Sequence, residues 1–100
     1  MPTTITPLTR IAVLECLRGV VDPEIGLDIV TLGLIYGVEI ADTAVRVTMT
    51  LTTRGCPLHM LIEQAVRATL EGLEGARTVT LEVVWNPPWH PAMIDRAVLA

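Results

Sequence analysis

The stretch that decides the fold is Val45-Arg46-Val47-Thr48-Met49-Thr50-Leu51-Thr52. Its odd positions are apolar and its even positions are Arg or Thr, without a break in the alternation. Because successive side chains of a strand point to opposite faces of a sheet, this pattern predicts a β-strand with one buried face. The apolar odd positions are expected to face the core, and the even positions to face away from it.

The segments on either side predict the rest of the sheet. Residues 34–40 predict another strand before residues 45–52. A short turn at 41–43 joins the two strands into a hairpin. Residues 78–85 alternate again and predict a third strand whose inward row ends at Trp85. Between the second and third strands, Pro57 at a helix N1 position begins a helix that runs to about Glu71, and Gly72 is its expected C-cap.

The spacing of apolar residues predicts one buried face on each of two helices. The helix after Pro57 is expected to turn one face inward, formed by Leu58, Leu61, Ile62, Ala65, Val66 and Thr69. A first helix is predicted from Thr6 and Pro7 to about Arg18, with a buried seam of Val13, Cys16, Leu17 and Val20. Cys16 is therefore expected to be a buried structural thiol. A last short helix is predicted at 91–97.

The order of elements is α-β-β-α-β, in which the crossover helix must return the third strand parallel to the second. We therefore predict a two-layer α+β fold, with a small three-stranded mixed sheet covered by two helices on one face. The length of 100 residues predicts one domain spanning residues 1–100, and a composition of 51% hydrophobic and 18% charged residues is typical of a globular chain.

Charge and hydropathy exclude several classes of function. The net charge is −4, and the basic residues are seven scattered arginines, so no basic stripe for nucleic acid is present. No apolar stretch approaches the 18–20 or so residues of a membrane span. The first residues contain no basic segment typical of a signal peptide, so we expect a cytoplasmic protein whose two cysteines are thiols.

Cys56 is the strongest candidate for chemistry. It directly precedes Pro57, where the unpaired N–H groups and the positive dipole end of a helix favour the thiolate. Arg54 lies two residues away, and Gly55 allows a sharp turn that exposes the side chain. Since the thiolate is the form that binds metal or attacks, this setting favours function over a purely structural role.

Three other groups leave alternatives open. Asp22-Pro23-Glu24 is either an ordinary turn or a pair of carboxylates beside Cys56, acting as ligands or as an electrostatic gate. His59 lies one helical turn after Cys56, so the two could hold one metal, with His90 as a further candidate ligand. The alternative for His59 is a solvated side chain on the flank of the helix.

Four motifs together resemble the SufT/PaaD-like iron–sulfur cluster assembly domains over about residues 10–95. They are Val21-Asp22-Pro23-Glu24-Ile25, Thr31-Leu32-Gly33-Leu34-Ile35-Tyr36, the stretch 48–57 that ends in Arg54-Gly55-Cys56-Pro57, and Val84-Trp85-Asn86-Pro87-Pro88-Trp89 with Met93. The resemblance implies the fold predicted above and a role in maturing iron–sulfur proteins. It makes Cys56 the reactive or cluster-contacting cysteine, and Asp22 and Glu24 the acidic pair of the signature. Arg54 stands where a smaller or more apolar residue is expected.

The resulting hypothesis is a non-enzymatic accessory factor in iron–sulfur cluster assembly or delivery to client proteins. It would hold a cluster transiently at Cys56 and bind client apo-proteins and scaffold or carrier proteins. One cysteine cannot supply the four ligands that a cluster usually takes, so a homodimer, a client or a small thiol must supply the others. Two alternatives remain: a small cysteine-dependent redox enzyme and a pure protein-interaction module.

Overall fold

The computed structural model describes residues 8–54 and 58–94, and its elements follow the predicted order. They are α1 (Arg10–Leu17), β1 (Ile35–Ala41), β2 (Ala44–Met49), α2 (Leu58–Glu71) and β3 (Thr78–Val83). A 3-10 helix at Pro91–Met93 stands within the segment where a last short helix is predicted. None of the helices in these ranges is long and apolar enough to cross a lipid bilayer.

The three strands form one mixed sheet in the order β1-β2-β3. β1 is antiparallel to β2, and their turn places Asp42 at a φ of 54°. β3 is parallel to β2, in a register that runs from the pair Ala44 and Thr78 to the pair Met49 and Val83. Because α2 connects these two strands, the predicted crossover and the predicted α+β fold class are both confirmed.

The alternation of β2 divides the sheet into a core face and an open face. Val45, Val47, Met49 and Leu51 are at most 2% exposed and lie in the core under the two helices. On the open face, Arg46 Nη2 lies 2.6 Å from Glu82 Oε1, and Arg46 Nε lies 3.9 Å from Glu39 Oε1. The hydrogen bond to Glu82 is the main reason that the pKa of Arg46 is raised above its usual value.

Thr50 departs from the predicted alternation, because it is fully buried rather than turned away from the core. β2 ends at Met49, and the backbone N–H of Thr50 then donates to Leu34 O at 2.9 Å. The regular strand therefore ends just before Thr50, and the Thr50 side chain does not reach the open face of the sheet. Leu51, in contrast, is buried as predicted.

Two predictions for α1 are wrong. The helix begins at Arg10, since Thr9 has an extended backbone and its Oγ1 accepts the Ala12 N–H at 3.1 Å. Thr9 is therefore the N-cap in place of Thr6, because it offers both the hydroxyl and the extended φ that a cap requires. Cys16 is exposed, because the buried stripe of this short helix is narrow and contains only Val13 and Leu17.

The inner face of α2 is also only partly as predicted. Ile62, Val66 and Leu70 are the buried residues, whereas Leu61 is 58% exposed and Ala65 is exposed. The helix is thus rotated so that the Leu61 and Ala65 side lines a surface groove against the residues after α1. The same rotation turns His59 inward, where its side chain is half-buried.

Candidate functional site

The connection between β2 and α2 leaves the sheet at the carboxyl ends of the parallel strands. Val84 N–H donates to Met49 O at 2.8 Å, which extends the β2–β3 pairing by one step beyond the strands. In open sheets, the crevice beyond the carboxyl ends of parallel strands is where ligands commonly bind. Cys56 belongs to this connection, but residues 55–57 lie outside the described residues, so its role stays a prediction.

Trp85 joins the two sides of that connection. The guanidinium carbon of Arg54 lies 4.7 Å from the centroid of the Trp85 ring, within the range of a cation–π contact. The ring of His59 lies 5.5 Å from the Trp85 ring, with an angle of 39° between their planes. We call Arg54, His59 and Trp85 the tryptophan cluster. It brackets Cys56 in the sequence from both sides, and no sequence pattern predicted these contacts.

His59 contributes an unusual polar atom to the tryptophan cluster. Its Nε2 is buried and has no hydrogen-bond partner within residues 8–54 and 58–94. Buried polar atoms nearly always have a partner, since burying one without a hydrogen bond costs free energy. An imidazole nitrogen in this state is chemically suited to coordinate a metal ion. The pairing of His59 with Cys56 stays a prediction, and the unpartnered nitrogen fits it.

Asp22 is placed by its own turn, which we call the acidic turn (residues 22–26). Its carboxylate Oδ1 accepts the Glu24 N–H at 2.8 Å, and its carbonyl oxygen accepts the Gly26 N–H at 2.8 Å. Asp22 N–H donates to Leu27 O at 2.9 Å, and the residue is 2% exposed. Glu24 is exposed. The turn alternative considered from the sequence therefore accounts for Asp22, and a ligand role for either carboxylate stays a prediction.

His90 is not gathered into a metal centre by the described part of the chain. It is exposed and precedes the 3-10 helix, where its carbonyl oxygen accepts the Met93 N–H at 3.0 Å. Within residues 8–54 and 58–94, no group of three or more His, Cys, Asp or Glu side chains could hold a metal ion.

The segment after β3 packs back on the segment before β1, which joins two of the sequence motifs. Trp89 Nε1 donates to Leu32 O at 2.7 Å, and the Tyr36 hydroxyl donates to Pro87 O at 2.7 Å. Gly33 has a φ of 81°, and a Cβ there would lie 2.6 Å from Met93 O. Only glycine fits this approach, so the Gly33 motif and the Trp89 motif act as one structural unit beside the tryptophan cluster.

An apolar surface lies beside the same end of α2. Val21 and Leu61 line the groove between α2 and the residues after α1 and are 51% and 58% exposed, and the neighbouring Met60 is 67% exposed. Clusters of exposed apolar side chains on a small domain are typical of protein-interaction surfaces. Leu61 was predicted to face the core, so this exposed apolar surface was not predicted from the sequence.

Comparison with known proteins agrees with the resemblance noted in the motifs. A family model described as iron–sulfur cluster assembly protein matches residues 10–83. The Fe-S protein maturation auxiliary factor YitW of Bacillus subtilis is 45% identical over 85 residues, which are 84% of this chain and 83% of that protein. The Fe-S protein maturation auxiliary factor SufT of Staphylococcus aureus is 42% identical over 78 residues, which are 77% of this chain and 89% of that protein.

A solved structure has the same fold. The structure of a conserved hypothetical protein from Thermotoga maritima matches with a TM-score of 0.82 and 38% sequence identity. The match covers 91% of this chain and 90% of that one. The two chains therefore share one fold over nearly their whole lengths.

Proposed function

Because this chain belongs to the iron–sulfur cluster assembly protein family, we propose that it is an accessory factor that assembles clusters or delivers them to client proteins. The cluster is its cargo, held transiently with Cys56 as the contacting thiolate. The observation that supports this site most is the tryptophan cluster, in which Arg54 and His59 contact Trp85 from the two sides of Cys56.

Three features of the site favour a thiolate at Cys56. α2 begins at Leu58, two positions after Cys56 in the sequence, and contains 14 residues, so the positive end of a full-length helix dipole lies at the connection. The first turn of α2 contains no acidic residue that would cancel this potential. The Arg54 guanidinium adds a full positive charge at the Trp85 ring. A thiolate is the form of cysteine that binds iron, so these features prepare the residue for a cluster.

His59 is the second ligand in the proposal. Its buried Nε2 has no hydrogen-bond partner in the described part of the chain, and His59 lies three residues after Cys56 on the first turn of α2. Imidazole replaces thiolate on one iron in some two-iron clusters, so a mixed Cys and His set is chemically sound. In the acidic turn, Asp22 sets the backbone, and Glu24 presents its exposed carboxylate as the acidic group of the site.

Partners complete this function, since neither delivery nor assembly can occur without them. The exposed apolar side chains of Val21, Met60 and Leu61 form the surface on which client apo-proteins and scaffold or carrier proteins dock. A homodimer that pairs two Cys56 connections is the simplest arrangement within one gene product that adds ligands. The protein acts by binding rather than by catalysis, in the cytoplasm, where thiols stay reduced.

Anaerobic reconstitution with iron and sulfide tests this proposal. We expect visible absorption from a bound cluster in the wild type and its loss in Cys56→Ser. Cys16→Ser is the matched control, because Cys16 is the other cysteine of the chain and lies exposed on α1. Equal absorption in all three proteins would contradict a cluster at Cys56. A peroxide-dependent or disulfide-dependent turnover without iron would instead favour the redox enzyme.

A further inference from the structure

The outer edge of β3 has free backbone hydrogen-bonding groups. Within residues 8–54 and 58–94 the sheet has the order β1-β2-β3, so β3 pairs with β2 on one side and with no described strand on the other. Val84 N–H donates to Met49 O on the β2 side, and the direction of the backbone groups alternates along a strand. The even positions of β3 therefore bond to β2, and the odd positions point away from the sheet. We call these odd positions the β3 edge row: Val79, Leu81 and Val83.

The side chains of the β3 edge row are also incompletely covered. They pack against the core but are only half-buried. Their register neighbours in β2, which are at most 1% exposed, are Val45, Val47 and Met49. The core is thus complete at the middle strand and incomplete at the β3 edge. A strand added beside β3 would bond its free backbone groups and cover this apolar row.

The two edges of the sheet differ in how they are protected against another strand. On β1, the register with β2 shifts between Ile35 and Gly37, and such a bulge disrupts regular pairing at an edge. On β3, the register is continuous and the strand contains no proline or lysine. Its one charged side chain is that of Glu82, whose Oε1 lies 2.6 Å from Arg46 Nη2. β3 therefore lacks the features that usually keep an edge strand from pairing.

β3 is complementary to a second copy of itself. An antiparallel pairing centred on Leu81 opposes Val79 to Val83 of the other copy, so every position of the β3 edge row is in a hydrogen-bonded pair. On the open face, Thr80 then lies opposite Glu82 of the other copy, which brings no like charges together. A pairing centred on Glu82 would oppose two carboxylates, which is destabilising. A pairing centred on Thr80 would pair only two of the three edge-row positions with each other.

We propose that the β3 edge binds a second copy of this chain, antiparallel and centred on Leu81, so that two sheets join into one sheet of six strands. The contact is isologous and uses both β3 edges, so the assembly closes at two copies. The two β3 strands run in opposite directions, which places their carboxyl ends at opposite ends of the shared edge. This dimer does not rest on the proposed function, and it differs from a dimer that pairs two Cys56 connections.

Sedimentation equilibrium tests the interface through Thr80, which is exposed and lies opposite Glu82 of the other copy twice in the dimer. We expect a reversible dimer of the wild type, with a Kd about fivefold lower in Thr80→Lys and about fivefold higher in Thr80→Glu. Ala41→Lys and Ala41→Glu are the matched controls and should leave the Kd unchanged, because Ala41 is exposed on β1 at the other edge of the sheet. A monomer at every concentration would overturn the inference. A dimer whose Kd does not respond to the Thr80 charge would also overturn it, and would favour a dimer through another surface.

Disulfide trapping tests the register independently. Opposed residues that are not hydrogen-bonded to each other in antiparallel strands have Cα atoms about 4.5 Å apart, which is within the range of a disulfide. Thr80→Cys and Glu82→Cys proteins, each also carrying Cys16→Ser and Cys56→Ser, are mixed and treated with a mild oxidant. We expect a cross-linked dimer that contains one chain of each variant. A cross-link in Thr80→Cys alone, or none in the mixture, would overturn the register centred on Leu81.

Discussion

The acidic turn and the tryptophan cluster differ in how far the described residues satisfy the hydrogen bonding of their buried polar groups. In the acidic turn, the Asp22 carboxylate, N–H and carbonyl each have a hydrogen-bond partner within the next five residues. In the tryptophan cluster, His59 Nε2 is buried and has no hydrogen-bond partner among the residues that the structure describes. The turn thus accounts for the polar groups of Asp22, whereas the described fold gives no role to the buried Nε2 of His59. The difference teaches that Asp22 sets the backbone of the acidic turn, and that the unpartnered nitrogen of His59 is where a ligand is expected.

Removal of Trp85 should have the largest effect. The indole packs against the core and contacts both Arg54 and His59, so Trp85→Ala is expected to lower the free energy of unfolding by about 3 kcal/mol. Urea unfolding followed by circular dichroism measures the loss. Trp85→Phe is the control, which keeps a ring in the same place and should lose about 1 kcal/mol. An unchanged unfolding midpoint in Trp85→Ala would show that the tryptophan cluster does not support the fold.

Asp22 should contribute to stability through one acceptor atom. Asp22→Ala removes the Oδ1 that accepts the Glu24 N–H, and we expect a loss of about 2 kcal/mol on urea unfolding. Asp22→Asn keeps an oxygen in that position and should lose less than half as much. Cluster retention per folded protein should be unchanged in both variants. A stable Asp22→Asn protein that loses its cluster would reverse the comparison and make the acidic turn part of the ligand site.

His59 should show the smallest effect on stability and a clear effect on binding. Its Nε2 makes no hydrogen bond with any described residue, so an apolar side chain of similar size should be neutral or slightly stabilising, within about 0.5 kcal/mol of the wild type. We therefore expect His59→Leu to unfold at the wild-type urea concentration and to release iron to a chelator severalfold faster. Glu63→Leu, one turn along α2, is the control for the added apolar side chain. Wild-type iron release from His59→Leu would remove His59 from the ligand set.

The sheet could be predicted from the sequence almost completely, because a strand has a side-chain period of two. In β2, an error of one residue would place every apolar side chain in water, so the alternation leaves one solution. The buried faces of the two helices could be predicted less completely. Each of α1 and α2 contains more apolar residues than its buried stripe can hold, and Cys16 and Leu61 lie outside the stripes. Which apolar residues are left outside depends on how the two helices meet.

The site was predicted as a set of motifs, but their contacts were not. Tyr36 and Pro87 are 51 residues apart, and Leu32 and Trp89 are 57 apart, so no local pattern connects them. Likewise, Arg54 and Trp85 meet because the parallel pairing of β2 and β3 brings the ends of both strands together. Local patterns indicate which residues have special chemistry, whereas the pairing of strands decides which of them meet.

The separation of the two tryptophans gives the protein two optical probes. Trp85 lies at the connection that carries Cys56, whereas Trp89 is tied by its Nε1 to Leu32 O in the structural unit beside it. The chain contains no other tryptophan, so Trp89→Phe leaves an emission that arises at the site alone. An iron–sulfur chromophore absorbs where indole emits and would quench that emission by energy transfer. Cluster arrival and departure could then be timed in a stopped-flow fluorimeter without labelling the protein.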